Sequence, residues 1–424
     1  MNSTQNHIEN VQTKIDNLRH IKPYLIDSSL RENPVGARVG QTLADKLSIF
    51  PKIRAFGFKH ILLGSLDYAM PDELEVDDDF MLYLRDHHID MTGCFAATDI
   101  GIVNDDGTFT PSSSQLKLKD YGVPNTLHEI YLSQYGMAGQ YDLATLQRSL
   151  PASIAWLNDH IVGDNGAKPC IIINIVDGCD AFTEDADTAC EMLSLLAQLS
   201  IAGVSIEDDR GTYMPFQVGA FTALARSFLP APLKLLVHIH AGAGFENASV
   251  IEALLNGADG AWGGLAKRAA IIGHASLGEL IANLLRVGNQ HMHDYQLTQL
   301  LPLATHLQTL DNELSSVPDD YPILGNNAYR FSLSFFRQIK GRWMDLVPEA
   351  IGGQYRYRIC PLVSDTAIIA GRLAEITNQP AEAYSDKLLE QMIRLMRRDL
   401  RAGKRIAYDE PEQLLALLAR AWVE

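Results

Sequence analysis

Two histidines one residue apart, His238 and His240 in Leu235-Leu236-Val237-His238-Ile239-His240-Ala241-Gly242, end an apolar run and precede a glycine-rich turn. Side chains at i and i+2 of a strand point to the same side, so both imidazoles can face one metal ion. Two polar residues at a strand end are the plain alternative. A second polar cluster closes the run Asp27-Ser28-Ser29-Leu30-Arg31-Glu32-Asn33. One carboxylate, from Glu32, and two imidazoles suit a borderline divalent metal with open positions. Such a metal can hold a 2-oxo acid by its carbonyl and carboxylate and act on the carbonyl as a Lewis acid. The Arg31 guanidinium can stabilise the enolate or oxyanion that develops. For Arg31 and Glu32 the structural alternative is a salt bridge at the rim of a barrel.

Those residues need strands that end together. Strand-like runs fall at 24–27, 59–63, 89–96, 129–133, 170–176, 204–207, 234–240 and 260–262. Segments with helical period and capping residues lie between most of them, at 42–55, 143–160, 184–201, 216–228 and 248–256. This alternation predicts a (β/α)₈ barrel, whose active-site groups come from the C-terminal ends of the strands. No GxGxxG follows the first strand, which disfavours an open dinucleotide-binding sheet. The polar, turn-rich stretch 99–124 reads as a solvated insertion or mobile loop. Beyond residue 286 the alternation stops. The division expected is an N-terminal extension at 1–20, a catalytic barrel at 21–289 and a mostly helical region at 290–424.

Hydrophobic residues make up 47% and charged residues 21% of the 424, an ordinary globular balance. Apolar runs are too short to span a membrane, and the polar N-terminus carries no signal core. A formal charge of −17 argues against nucleic acid as a partner. Five cysteines without a CxxC fit a reduced, cytoplasmic protein and disfavour a cysteine zinc site.

The ordered set of motifs resembles the DRE-TIM metallolyases, the isopropylmalate, homocitrate and citramalate synthases and the hydroxymethylglutaryl-CoA lyases. Asp27-Ser28-Ser29-Leu30-Arg31-Glu32 resembles their opening D-T-T-L-R-D signature, and Phe182-Thr183-Glu184-Asp185-Ala186 their S-P-E-D-A segment. Val204-Ser205-Ile206-Glu207-Asp208-Asp209-Arg210-Gly211 resembles I-S-L-P-D-T-V-G, and His238-Ile239-His240 the HxH metal motif. Gly263-Gly264-Leu265-Ala266-Lys267-Arg268-Ala269 with Gly273-His274-Ala275-Ser276 resembles G-L-G-E-R-A-G-N-A-S. Pro322-Ile323-Leu324-Gly325-Asn326-Asn327-Ala328-Tyr329 resembles P-I-V-G-E-N-A-F.

The resemblance implies that Glu32, His238 and His240 bind Mg²⁺, Mn²⁺ or Zn²⁺ and that Arg31 stabilises the developing charge. It implies a homodimer, since the accessory region of relatives crosses to a partner subunit. The acid–base pole departs from the family. Phe336 stands at the usual catalytic histidine, Leu62 at an acidic position, Asp209 at a threonine and His274 at an asparagine. Glu184, Asp209 and His274 remain for acid–base or substrate contacts. Glu184 could instead cap a helix, Asp209 could pair with Arg210, and His274 is either an added ligand or a rim residue. The function expected first is Claisen-type condensation of an acyl-CoA with a 2-oxo acid. Carbon–carbon cleavage by a lyase or aldolase is the second, and a non-catalytic relative that binds metal and ligand the third.

Overall fold

In the computed structural model of the chain, residues 3–35, 37–66, 73–138, 140–267, 271–312, 317–334 and 346–423 are described. The apolar runs become eight strands: β1 (Tyr24–Asp27), β2 (His60–Ser65), β3 (Cys94–Thr98), β4 (Asn125–Ile130), β5 (Ile171–Ile175), β6 (Gly203–Asp208), β7 (Lys234–Ile239) and β8 (Gly260–Gly263). All neighbours are parallel, and β1 pairs with both β2 and β8, so the sheet closes into a (β/α)₈ barrel. Ile26, Leu62, Phe95, Leu127, Ile172, Leu236 and Trp262, one from each of seven strands, fill the interior. The inward parity set by this layer positions everything polar above it.

Four elements differ from the sequence expectation. The third strand, expected at 89–96, runs over Cys94–Thr98. The fourth strand begins at Asn125, four residues before the expected 129, which places Glu129 within it rather than at its start. The 99–124 stretch is not an open loop. It holds a hairpin, Ile102–Val103 with Phe109–Thr110, and a helix, Ser113–Tyr121. Ser112 and Gln115 cap that helix reciprocally, and Leu118 and Tyr121 bury its inner face. The helix expected at 184–201 begins at Ala186.

A buried lysine fixes the segment after β1. Lys46 lies on the helix Leu43–Phe56, and its ammonium donates to the Leu30 carbonyl and pairs with Asp77 at 2.7 Å. Gln41 donates to the Ser29 carbonyl at 3.0 Å and to Asp311 at 2.8 Å. Leu30 and Ser29 directly precede Arg31 and Glu32, so these contacts hold the backbone that aims them.

The chain divides into two compact units, Met1–Ser316 and Val317–Glu424. The second is built on helices Thr366–Thr377, Asp386–Arg401 and Pro411–Val423. Their apolar faces meet at Ile368, Leu373, Met392, Leu395, Leu414 and Leu417. Asp399 keys this core by accepting from Tyr408 at 2.6 Å and Arg420 at 2.7 Å. Phe336 lies outside the described residues. No helix among the described residues is long and apolar enough to cross a membrane.

Candidate metal centre

Leu236 belongs to the interior layer, so His238, two residues on, also faces inward, and His240 follows just past the strand. Glu32 arrives from the loop after β1. One ligand atom from each of Glu32, His238 and His240 lies within 4.8 Å of the other two.

The hydrogen bonds decide which nitrogens are left. His238 Nδ1 lies 2.8 Å from the Trp262 carbonyl, which can only accept, so Nδ1 carries the proton. Its Nε2 is buried and has no partner. The ring also stacks on Trp262, centroids 3.6 Å apart and nearly parallel. His240 is held the other way round. Its Nε2 lies 3.2 Å from Glu207 Oε1, and its Nδ1 is buried without a partner. Unpartnered buried nitrogens are costly, and here two of them converge with a carboxylate. That donor set fits a divalent ion.

Glu207 comes from the end of β6, directly opposite His238 in register. Its other oxygen accepts from Asn174 of β5 at 2.6 Å. Burial raises the Glu207 pKa. Burial also opposes protonation of His240, but the Glu207 hydrogen bond and charge outweigh it and raise the His240 pKa. For Glu32, burial favours the neutral acid. The Arg31 charge, followed by the histidines, more than reverses this and brings the pKa to about 2.

Arg31 is a buried guanidinium held on several sides. Nε donates to Ser65 at 2.8 Å, Nη2 to Glu129 at 2.8 Å, and Nη1 to Glu32. Ser65 faces the interior because the β2–β3 register shifts between Leu62 and Ser65, reversing the alternation. Gly64 then faces outward, where a Cβ would collide with Asp77.

The remaining expected residues separate. Asp209 is partly exposed beyond β6. Burial, then the Glu207 and Asp180 charges, raise its pKa to about 6. Arg210 is engaged mainly by Asp180, with Asp209 3.9 Å away. His274 is fully buried, not on the rim. Its Nδ1 donates to the Ala275 carbonyl at 3.0 Å, and its Nε2 accepts from the Gly264 N–H at 3.3 Å. Both nitrogens are therefore engaged by backbone. Glu184 is exposed and accepts from the Gln134 N–H at 3.0 Å, while Asp185 caps the following helix. Glu129, Asn174 and Glu207 are the polar residues that the sequence reading did not assign to the site. Glu207 was visible at a strand end. Glu129 and Asn174 carried no local signal.

The molecule is thus a (β/α)₈ barrel with a two-histidine, one-carboxylate cluster at the C-terminal end of its strands. No protein-family model matches the sequence, and no curated protein matches it. Solved structures do. An HMG-CoA lyase from Acinetobacter baumannii, in complex with coenzyme A and 3-methylmalate, is 16% identical and covers 71% of this chain and 97% of its own, with a TM-score of 0.54. The hydroxymethylglutaryl-CoA lyase of Pseudomonas aeruginosa is 16% identical and covers 69% of this chain and 94% of its own, TM-score 0.54. A Rhizobium etli pyruvate carboxylase is 11% identical and covers 76% of this chain but 31% of its own, TM-score 0.51. The barrel shares the (β/α)₈ fold of these structures, at identities that carry the likeness in fold alone.

Proposed function

We propose that this chain is a divalent-metal-dependent enzyme that breaks or makes a carbon–carbon bond next to a carbonyl, with cleavage of the lyase or aldolase type as the first reading. The observation that carries this reading is the pair of unpartnered nitrogens, His238 Nε2 and His240 Nδ1, converging with the Glu32 carboxylate beside a buried Arg31. Glu32, His238 and His240 would hold the ion, which supplies Lewis-acid polarisation of a substrate carbonyl. Arg31 places a fixed positive charge beside that position, where an enolate or alkoxide gains most. Glu207 orients His240. Asp209, which burial and the Glu207 and Asp180 charges raise to about 6, exchanges a proton near neutral pH and is the acid–base candidate.

Condensation of an acyl-CoA with a 2-oxo acid is the second reading. It is favoured by the helical unit Val317–Glu424, because the lyase fold match spans 71% of this chain and nearly all of the lyase. A homodimer and an acyl-CoA co-substrate belong to this reading.

The test is metal analysis of the purified protein, followed by two assays with each metal restored. One follows carbonyl products from 3-hydroxyacyl-CoA and hydroxy-acid substrates. The other follows CoA release from acyl-CoA with 2-oxo acids. Metal-dependent cleavage abolished by His238→Ala supports the first reading, and CoA release that requires a 2-oxo acid supports the second. Absence of tight metal binding to the wild type refutes both.

A further inference from the structure

At the other end of the barrel, the N-terminal ends of the strands surround a cavity of about 220 Å³. Lys22 reaches it from the approach to β1 and Tyr24 from its first residue, Lys59 and His60 from the entry to β2, Lys234 from β7, and Tyr295 from the segment after the last barrel helix. Lys234 precedes His238 by four residues on one strand, so at roughly 3.3 Å per residue the cavity is about 13 Å from the metal-ligand cluster. The packed interior layer lies between the two.

The walls are ordered by packing. Tyr24 stacks on His60 with centroids 4.2 Å apart, and its hydroxyl lies 3.3 Å from His60 Nδ1. Tyr295 packs on Phe56 and Phe58 at 5.5 and 5.3 Å, and the Gln296 N–H donates to the Phe56 carbonyl at 2.7 Å. Gly57 has φ +125, and a Cβ there would lie 3.0 Å from the Asp294 carbonyl oxygen, so this wall closes only over a glycine.

The charge of the lining runs against that of the chain. Three ammonium groups face one carboxylate, Asp294, in a protein of formal charge −17. Among the described residues Lys22 and Lys59 have no ion-pair or hydrogen-bond partner. Lys234 is 3.9 Å from Asp259, which Arg226 already engages. Three lysine point charges suit a phosphate, which carries close to two negative charges at neutral pH where a carboxylate carries one. The acidic remainder of the protein repels extended polyanions, which favours a small ligand. The cavity exceeds a bare phosphate and offers tyrosine rings to an organic part.

We propose that this cavity binds a small phosphate-bearing molecule, with the phosphate among Lys22, Lys59 and Lys234 and the remainder against Tyr24 and Tyr295. The proposal is independent of the reaction at the other end of the barrel.

The test is calorimetric titration of the full chain with inorganic phosphate, pyrophosphate and AMP at low salt. Saturable binding of at least one probe with a Kd below about 1 mM is expected. Lys22→Gln/Lys59→Gln should weaken it at least about tenfold, or roughly 1.4 kcal/mol. The control Lys119→Gln/Arg148→Gln, on the helices Ser113–Tyr121 and Leu143–His160, should leave it unchanged, and metal affinity should not move in either variant. If the double variant misfolds by near-UV circular dichroism, Lys59→Gln alone should weaken binding at least about threefold. No saturation below about 1 mM, or equal weakening by the control pair, overturns the proposal.

Discussion

Glu207 offers a way to separate a charge from a hydrogen bond at the candidate metal centre. Replacing it by glutamine leaves an acceptor oxygen for the His240 Nε2–H, now 3.2 Å away. The new amide N–H₂ then faces Asn174. The Asn174 Oδ1 is buried and has no partner, so turning that amide over supplies the missing acceptor. One buried Asn174 atom is unpartnered before and after, Nδ2 in place of Oδ1, so the main net change is loss of one negative charge. Groups that orient a ligating imidazole contribute roughly 10–100-fold in metal affinity. Glu207→Gln keeps the geometry and should fall at the lower end, about 10–30-fold, or roughly 1.4–2 kcal/mol. Glu207→Ala loses the hydrogen bond as well and should approach about 100-fold. Competition with a chromophoric chelator for Mn²⁺ and Zn²⁺ measures both. If Glu207→Gln binds within about twofold of wild type while Glu32→Gln does not bind, Glu207 does not tune His240 and the reasoning fails.

Three other outcomes test separate parts of the molecule. A lysine at position 31 cannot reach Ser65 and Glu129 together, so Arg31→Lys should lower turnover about 10²–10³-fold while metal affinity changes little; parallel loss of both would make Arg31 a holder of the ligands instead. Burial raises the Asp27 carboxyl to about 7, so the folded chain prefers the protonated acid and loses stability as pH rises from about 4 through 7. Asp27→Asn stays neutral, and wild-type Tm should fall relative to the variant between about pH 4 and pH 7, whereas parallel curves would refute it. Hydrogen bonds from Arg420, then Tyr408, hold Asp399 well below the usual carboxylate range, so its contribution is present above about pH 4 and lost in stronger acid. Asp399→Asn should lower the denaturant stability of Val317–Glu424 by about 2–4 kcal/mol near neutral pH, and an unchanged midpoint would remove Asp399 as its key.

The barrel was legible because buried parallel strands are written as short apolar runs, and Ile171-Ile172-Ile173 and Leu235-Leu236-Val237 leave little choice. β4 was displaced because Leu127-His128-Glu129-Ile130 mixes polar and apolar residues, with Glu129 on the inward face where a strand normally hides hydrocarbon. The helix Ser113–Tyr121 announced itself only by a Ser-x-x-Gln cap at Ser112, since lysines and serines dilute its apolar face. Within the site, His238, His240, Glu32 and Arg31 were readable from local spacing. Glu129 and Asn174 were not, because their meaning depends on inward parity around a closed sheet, and Glu207 was visible at its strand end without its partners. Two residues distant in sequence, such as Asn174 and Glu207, become partners only after β5 and β6 pair. The Ser65 contact to Arg31 depends on a register shift that no composition rule exposes.

The stack of Trp262 on His238 also makes the barrel its own gauge of occupancy. An indole in van der Waals contact with an imidazole at 3.6 Å emits according to the electronic state of that imidazole. A cation drawing density from Nε2 would dim the indole, and its removal would restore the light. With Trp156, Trp343 and Trp422 replaced by phenylalanine, emission from one residue would follow filling and emptying of the cluster in real time, with no dye and no turnover. The same ring donates through Nε1 to Ser205 at 2.9 Å, so the wavelength of that light would report whether the floor beneath the cluster stays dry.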